Sequence, residues 1–368
     1  MTATPGRLAG TAVPAFPAGP AGPADAAAVT RFLDEILPGA FDVFPPRVSP
    51  HLASARSHLS GWVERHGLVR KPAARRRFEH ADFGWFAAVT YPTADQAGLH
   101  LIADWFAWLF LLDDQFDDGV FGRDPGRVET LMTQMAAVLG GDGDPAGRAE
   151  GVPAIVTALA DLWHRTLPRA APGWRDRFVD HIVAGGLAAA WEAENRARGV
   201  VPGEPAYIDK RRHTGAIYVC MDLIEIAERT PVPPPAYADA AYQQALRAAC
   251  DVVCWTNDVY SLEKELSVGE YHNLVAVVEH ARGLTRGASV AHVASAISTR
   301  IRDFREWEGR TLHAFRGDAV ALANNFAGMR SWMRGNLDWS ARTKRYRPGG
   351  PAGAGRPADY LDTGLVQA

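Results

Sequence analysis

The sequence predicts an all-α protein with a single helical domain, and three observations support this. Apolar residues recur with helical spacing through most of the chain, and few segments alternate with the period of two that strands require. Clusters of breakers, such as Pro45-Pro46 and Pro202-Gly203, separate the helical segments. No linker divides the helical region into halves of different composition, so one domain is the simplest prediction.

The predicted helices lie between two ends rich in Pro, Ala and Gly. Residues 1–26 are expected to be disordered and residues 347–368 to form a flexible tail, which leaves 27–346 as the folded domain. Helices are expected at residues 27–37, 50–66, 74–89, 95–117, 127–139, 152–167, 174–198, 206–228, 236–267, 271–282, 288–316 and 318–341. The segments 215–226 and 245–256 are apolar almost all round, which is typical of helices inside a large bundle.

Composition excludes several classes of function. The chain has 368 residues and a net charge of −3, which gives no reason to expect a nucleic acid or an anionic membrane as its partner. Cys220, Cys250 and Cys254 are odd in number and lie among apolar residues, so they are expected to be core thiols. The chain has neither a secretory signal nor an apolar run of the ~18 residues that a membrane span needs. A cytoplasmic protein without membrane insertion is expected.

The first candidate site is an acidic cluster at the end of an apolar helix. The apolar run 105–112 is followed by Asp113, Asp114, Asp117 and Asp118. Negative charge is unfavourable at a helix C-terminus, by ~0.3–1 kcal/mol at a wet surface, and acids one turn apart also repel each other. A hard cation such as magnesium would offset this repulsion. Taken alone, the cluster is equally compatible with solvated acids at a helix end.

The second candidate site is a polar stripe on a later helix. Asn257, Ser261 and Glu265 recur every four residues, and four residues advance a helix by about 400°. The three side chains therefore share one face and offer an amide, a hydroxyl and a carboxylate oxygen to a hard cation. Alone the stripe is compatible with an ordinary polar face, but two such patterns on separate helices indicate a shared metal site.

These motifs resemble the bacterial class I terpene synthases, or terpene cyclases, from about residue 45 to residue 346. The aspartate cluster after Trp105 resembles the aspartate-rich motif of the family, and residues 257–265 resemble its N-D-x-x-S-x-x-x-E motif. Arg211, 46 residues before Asn257, occupies the position of the arginine that senses diphosphate. Arg345-Tyr346 resembles the C-terminal Arg-Tyr pair of the family.

The resemblance implies a class I terpenoid synthase-like helical bundle around a deep active-site cavity, with three Mg²⁺ ions at its mouth. The metal ligands that it implies are Asp113, Asp114, Asp117, Asn257, Ser261 and Glu265. Asp113 ranks first among the acids, and whether Asp117 or Asp118 is the distal ligand remains open.

The resemblance also implies cations that hold the diphosphate. They are Arg211, whose planar fork suits a bidentate grip, together with Lys264 and Arg345. Tyr346 would add a neutral hydroxyl donor beside Arg345. Arg212 is expected at the surface. Gly215 occupies the position where the family directs a backbone carbonyl towards the ionising substrate, although a helix-packing role is equally open.

Aromatic side chains are expected to stabilise the carbocation through cation–π attraction. Phe110 and Trp339 are the leading candidates. Core packing remains an equal alternative for them, as it does for the weaker candidates Phe83, Phe106, Tyr218 and Trp332.

The implied activity is magnesium-dependent ionisation and cyclisation of a prenyl diphosphate. Farnesyl diphosphate is the expected substrate, and the product is a sesquiterpene hydrocarbon or alcohol. Monoterpene and diterpene cyclases of the same fold are alternatives. A chain-elongating prenyltransferase is disfavoured because it carries a second aspartate-rich motif, whereas this chain has Asn257, Ser261 and Glu265. A non-catalytic isoprenoid-binding protein need not keep every ligand position filled. Relatives are often dimers, so a homodimer is compatible with the resemblance.

Overall fold

Every regular element that the computed structural model describes is a helix, and the described residues are 37–117, 124–141, 151–346, 361 and 363–366. The α-helices, in chain order, are α1 (Leu37–Ala40), α2 (Leu52–Arg65), α3 (Pro72–Ala81), α4 (Phe83–Thr90), α5 (Gln96–Asp117), α6 (Pro125–Gly140), α7 (Ala154–Thr166), α8 (Trp174–Arg198), α9 (Glu204–Thr214), α10 (Ile217–Glu228), α11 (Pro234–Tyr237), α12 (Ala240–Ser267), α13 (Leu274–Arg282), α14 (Arg286–Ala314) and α15 (Ala319–Arg342). The all-α prediction is confirmed.

Helix α12 forms the centre of the bundle. It packs most extensively against α14 and α15, and α15 in turn packs against α4. All residues from 248 to 256 are buried, and so are all residues from 219 to 227 in α10, as their apolar composition predicts. Cys220, Cys250 and Cys254 are free and buried, which confirms that they are core thiols.

Three of the predicted helices are broken in the structure, so the predictions of unbroken helices over 74–89, 206–228 and 236–267 were wrong. The last of these is divided between α11 and α12, where Asp239 is extended and caps α12. The other two breaks involve left-handed backbone. The first break is at Asp82, which has a left-handed φ of 51° and caps α4 by accepting a hydrogen bond from the backbone N of Trp85. The second is at Gly215 and Ala216, where Ala216 has a φ of 53°. Left-handed backbone is unfavourable for residues with a Cβ, so tertiary packing must maintain both breaks.

Several predicted features lie at the limits of the described residues. The prediction for 27–37 falls outside them except for Leu37, which begins α1. Residues 1–26, Asp118 and the side chain of Asp117 also lie outside them. In the predicted C-terminal tail, Leu365 and Val366 are buried, and the short turn Thr363–Leu365 packs against α7. None of the described helices is long and apolar enough to cross a bilayer.

A close helix contact gives a first prediction, on stability. A Cβ added at Gly335 of α15 would lie 2.7 Å from the carbonyl oxygen of Val89 in α4. We expect Gly335→Ala to destabilise the fold by about 1–3 kcal/mol, because backbone must move to admit the methyl group. The matched control is Gly309→Ala in α14, where no atom lies within 4 Å of the added Cβ. That substitution should stabilise the helix by roughly 0.5–1 kcal/mol. Thermal unfolding of both variants tests the prediction, and an unchanged melting temperature for Gly335→Ala would contradict it.

Candidate active site

A cavity of about 630 Å³ opens among α5, α8, α12, α15 and the break between α9 and α10. Its volume is within the ~300–1,000 Å³ range of small-molecule sites. Most of the predicted site residues line this cavity, namely Phe110, Asp113, Arg211, Gly215, Asn257, Lys264, Glu265, Trp339, Arg345 and Tyr346. The aspartate cluster and the polar stripe therefore both contribute residues to the wall of one cavity. Asp114 and Ser261 are close by but do not line it.

The acidic end of α5 is held by the C-terminal arginine. Arg345 contacts both carboxylate oxygens of Asp114, with Nη2–Oδ1 at 2.9 Å and Nη1–Oδ2 at 3.3 Å. Burial opposes the ionisation of Asp114, but the Arg345 and Arg77 guanidinium groups outweigh it and lower the pKa of that carboxyl to about 2. Asp113 is different, because its side chain is 47% exposed and its ion pair with Arg345 is longer, at 3.5 Å. Asp113 is thus the acid available to the cavity.

On α12, the predicted polar stripe is only partly directed at the cavity. Asn257 and Glu265 line it, whereas Ser261 is buried and donates its hydroxyl hydrogen to the Asn257 carbonyl, at 2.8 Å. The Asn257 side chain donates to the hydroxyl of Tyr346, which connects α12 to the C-terminal Arg-Tyr pair. Glu265 accepts a hydrogen bond from Asn273 Nδ2 at 2.9 Å. Burial raises the pKa of the Glu265 carboxyl, and the Asp258 carboxylate raises it further.

The diphosphate-sensing candidate Arg211 is fixed by a carboxylate that the sequence analysis did not single out. Arg211 Nε donates to Asp258 Oδ1 at 2.9 Å, and Nη2 donates to Asn257 Oδ1 at 2.8 Å. Asp258 is fully buried, and its other oxygen accepts from the Tyr207 hydroxyl at 2.8 Å and the Leu274 backbone N at 3.0 Å. Asp258 therefore orients the guanidinium towards the cavity. An acid immediately after Asn257 in an otherwise buried helix was the available signal.

The expectation that Arg212 lies at the surface was wrong. Its side chain is only 11% exposed, and Nε donates to Asp251 Oδ1 at 2.6 Å. Asp251 is itself fully buried in α12. Arg212 does not line the cavity. The pair therefore joins α9 to α12 on the side of α9 away from the site.

The residues at the mouth fit a divalent cation by their donor chemistry. Among the described side chains, no group of three or more His, Cys, Asp or Glu could hold an ion on its own. The predicted set instead combines one amide, one hydroxyl and one carboxylate of α12 with acids of α5, and all of its donors are oxygen atoms suited to Mg²⁺. A cation near Glu265 and Asp113 would also offset the cost of gathering their negative charges. The residues present therefore fit the ion.

Beyond the charged mouth, the cavity wall includes a cluster of aromatic rings. Phe110 and Trp339 line it, together with Phe86, Phe106 and Trp332. Phe86 stacks on Trp339 with ring centroids 4.2 Å apart, and the Trp339 indole N–H donates to the Ala81 carbonyl oxygen at 2.7 Å. Phe83 and Tyr218 are not lining residues, although Phe83 stacks on Phe110 from behind at 4.6 Å. The rings are thus held in fixed positions against the space.

The break between α9 and α10 forms another part of the wall. Arg211, His213, Thr214, Gly215 and Ala216 all line the cavity. A Cβ at Gly215 would lie 3.2 Å from the Arg211 carbonyl oxygen, so a side chain here would crowd the turn. His213 Nδ1 and Thr214 Oγ1 are buried polar atoms without a hydrogen-bond partner within the described structure. The break therefore presents polar groups directly beside Arg211.

These features define a class of protein. An all-helical domain that gathers acids, an amide and arginines at the mouth of an aromatic cavity can stabilise a departing diphosphate at one end and a hydrocarbon cation at the other. This combination is typical of class I terpene synthases.

Comparison with known proteins identifies the family. Residues 104–303 match the family model described as terpene synthase family 2, C-terminal metal binding. The chain is 36% identical to a (+)-T-muurolol synthase ((2E,6E)-farnesyl diphosphate cyclizing) of Roseiflexus castenholzii, over 83% of this chain and 92% of that protein. It is 34% identical to a (−)-δ-cadinene synthase of Streptomyces clavuligerus, over 84% of this chain and 94% of that protein.

Solved structures give the same result. A linalool/nerolidol synthase from Streptomyces clavuligerus, in complex with 2-fluorogeranyl diphosphate, superposes with a TM-score of 0.72 at 28% identity, covering 82% of this chain and 98% of that one. Wild-type cucumene synthase superposes with a TM-score of 0.69 at 27% identity, covering 81% and 98%. The chain belongs to the terpene synthase family and is a metal-dependent class I terpene synthase of the bacterial type.

Proposed function

We propose that the chain ionises farnesyl diphosphate and cyclises the resulting cation to a sesquiterpene, with release of diphosphate. The observation that carries the proposal is the distribution of polar groups in the cavity, which has Asp113, Asn257, Lys264 and Glu265 at one end and apolar side chains, several of them aromatic, along much of the rest of its wall. The substrate has the same two parts, a charged head and a hydrocarbon chain. The farnesyl diphosphate named for the T-muurolol synthase relative also supports this substrate.

The metal in this proposal is Mg²⁺, with three ions held by Asp113, Asp114, Asp117, Asn257, Ser261 and Glu265. When bound, the ions supply Lewis-acid stabilisation of the charge that develops on the diphosphate oxygens. Asp114 would need to exchange its pairing with Arg345 for the metal, or act by orienting Arg345. Asp113 is accessible without that exchange.

The protein's own cations complete the diphosphate site. Arg211 is held by Asp258 and Asn257, so its guanidinium reaches the substrate with little loss of side-chain entropy. Lys264 lies one residue before Glu265 on the cavity wall and adds a point charge. Arg345 and Tyr346 contribute N–H and O–H donors from the segment that follows α15. Together they stabilise the leaving group as the C–O bond breaks.

The aromatic wall then acts on the hydrocarbon. Phe110 and Trp339 present ring faces that attract positive charge, by ~2 kcal/mol or more where water is excluded. Because Phe86 and Phe83 stack against these rings, the rings cannot turn away from the cation. Gly215, at the break beside Arg211, allows backbone to approach the site where ionisation occurs.

Incubation with prenyl diphosphates tests the proposal. We expect farnesyl diphosphate with Mg²⁺ to yield diphosphate and a volatile C15 product detected by gas chromatography–mass spectrometry. Chelation by EDTA should abolish both, and added Mg²⁺ should restore them. Parallel incubations with geranyl and geranylgeranyl diphosphate test the chain length. If geranyl or geranylgeranyl diphosphate were cyclised faster than farnesyl diphosphate, the substrate assignment would be overturned.

A further inference from the structure

A histidine–carboxylate pair faces the cavity and has no part in the diphosphate site. His181 of α8 has its Nδ1 2.6 Å from Asp222 Oδ2 in α10. Asp222 is buried, and its other oxygen accepts from Arg177 Nε at 2.8 Å. A carboxylate that is paired with an arginine is an acceptor, so His181 Nδ1 carries the hydrogen and donates it. The Nε2 atom of His181 is then the basic nitrogen.

His181 lies in the wall between two cavities. It lines the active-site cavity, and it also lines a second cavity of about 390 Å³ together with Arg177, Asp180 and Glu225. One turn later on α8, Gly185 also lines the active-site cavity. A Cβ added at Gly185 would lie 3.4 Å from the His213 carbonyl oxygen. The histidine is therefore beside the break between α9 and α10, with a second cavity on its other side whose lining includes the charged groups of Arg177, Asp180 and Glu225.

We propose that His181 removes the proton that ends the cyclisation, a role that rests on the function proposed above. In this step the C–H bond next to the cationic carbon breaks, and its electron pair forms the C=C bond of the product. The proton passes to His181 Nε2, and Asp222 stabilises the imidazolium that forms. The proton then leaves through the second cavity, which Asp180 and Glu225 line with carboxylates.

The other bases on the cavity wall are less suited to this step. His272 has both ring nitrogens engaged, Nδ1 with Glu270 at 2.6 Å and Nε2 with Asn195 at 3.3 Å. His213 lines the cavity beside Arg211 and has no orienting carboxylate among the described contacts. Tyr218 lies between the two histidines, with ring centroids 4.9 Å from His181 and 5.0 Å from His213, but it does not line the cavity, and a phenol is a poor proton acceptor. Of the three histidines on the cavity wall, His181 alone has both an orienting carboxylate and a second ring nitrogen with no described hydrogen bond.

The test compares products with diphosphate release in His181→Asn. Asparagine can place its amide N–H where Nδ1–H lies and keep the hydrogen bond to Asp222, but it cannot accept the proton. We expect the main hydrocarbon product to fall at least fivefold as a fraction of all products, in favour of alcohols formed by water capture or of alkenes deprotonated at another carbon. Diphosphate release should stay within threefold of the wild-type rate. His164→Asn, at an exposed position of α7, is the matched control and should leave products and rate unchanged.

A second variant, Asp222→Asn, should shift the products in the same direction if it folds as judged by circular dichroism. If Asp222→Asn does not fold, the product profile of His181→Asn alone tests the proposal. An unchanged product profile in His181→Asn would overturn the proposal, and so would a shift that occurs in His213→Asn alone. A wild-type enzyme that makes only an alcohol would also overturn it. These outcomes are distinct from failure of the proposed function, in which wild-type protein releases no diphosphate from farnesyl diphosphate.

Discussion

Replacing Asp113 by alanine is expected to reduce turnover of farnesyl diphosphate by at least about a thousandfold. The metal contributes several kcal/mol of charge stabilisation, and each ~1.4 kcal/mol corresponds to a factor of ten in rate. The fold should be nearly unaffected, because the Asp113 side chain is 47% exposed and the shorter contacts of Arg345 are with Asp114. Asn257→Ala should behave similarly, since it removes a predicted ligand and the acceptor of Arg211 Nη2.

The measurements are steady-state release of diphosphate at increasing Mg²⁺ concentration and far-ultraviolet circular dichroism. Asp176→Ala, at an exposed position in the first turn of α8, removes an acid of the same type and serves as the control. Asp114→Ala offers a contrast, because it removes the carboxylate that Arg345 grips with two nitrogens and should lower thermal stability as well. Full activity of Asp113→Ala would remove the metal assignment from α5.

The helices and the two motifs were predictable because each depends on local spacing. The run before Asp113 and the four-residue spacing of Asn257, Ser261 and Glu265 follow from helical periodicity alone. Their convergence on one cavity could be anticipated only through the family resemblance. Neither periodicity nor spacing specifies which helices are neighbours.

The helix breaks could not be predicted from local preference. Asp82 and Ala216 both adopt left-handed backbone, yet no turn motif in the residues around them requires it. The break at Ala216 separates α9 from α10, and residues of both helices line the cavity. A continuous helix is the better local solution, and packing overrides it.

The partners of Asp258 and Arg212 could not be predicted for a related reason. Asp258 is separated from its partners Tyr207 and Arg211 by 51 and 47 residues, so no local pattern connects them. Arginine at the end of a helix such as α9 is commonly exposed. Only the packing of α9 against α12 shows that both Arg211 and Arg212 are largely buried and paired.

These two neighbouring arginines allow the diphosphate grip to be separated from structural stability. Arg211 pairs with Asp258 and Arg212 with Asp251, and the two aspartates are two turns apart on α12. The side chains are 14% and 11% exposed, and both acids are fully buried. They differ in position, because Arg211 lines the cavity and Arg212 does not. The same substitution at the two arginines should therefore cost similar stability but should affect catalysis only at Arg211.

We expect Arg211→Lys to lower kcat/KM for farnesyl diphosphate by at least about a hundredfold, the loss typical when one charge-stabilising donor is removed. Lysine keeps the charge but cannot contact Asp258 and the diphosphate through one planar group. Arg212→Lys should lower kcat/KM less than about threefold. Both variants should lose ~1.5–3 kcal/mol of stability, the usual contribution of a hydrogen bond to a charged group.

Diphosphate-release kinetics and thermal unfolding of the two variants, measured side by side, provide the comparison. If Arg211 binds the diphosphate, the two variants should lose similar stability, but only Arg211→Lys should lose a large part of its rate. If the rates fell equally, loss of packing between α9 and α12 would explain both, and Arg211 would have no special contact with the substrate. The comparison is informative because sequence position, helix, carboxylate partner and burial are matched. Arg211 differs from Arg212 in lining the cavity and in donating to Asn257, and Asp251 has Arg300 as a second partner.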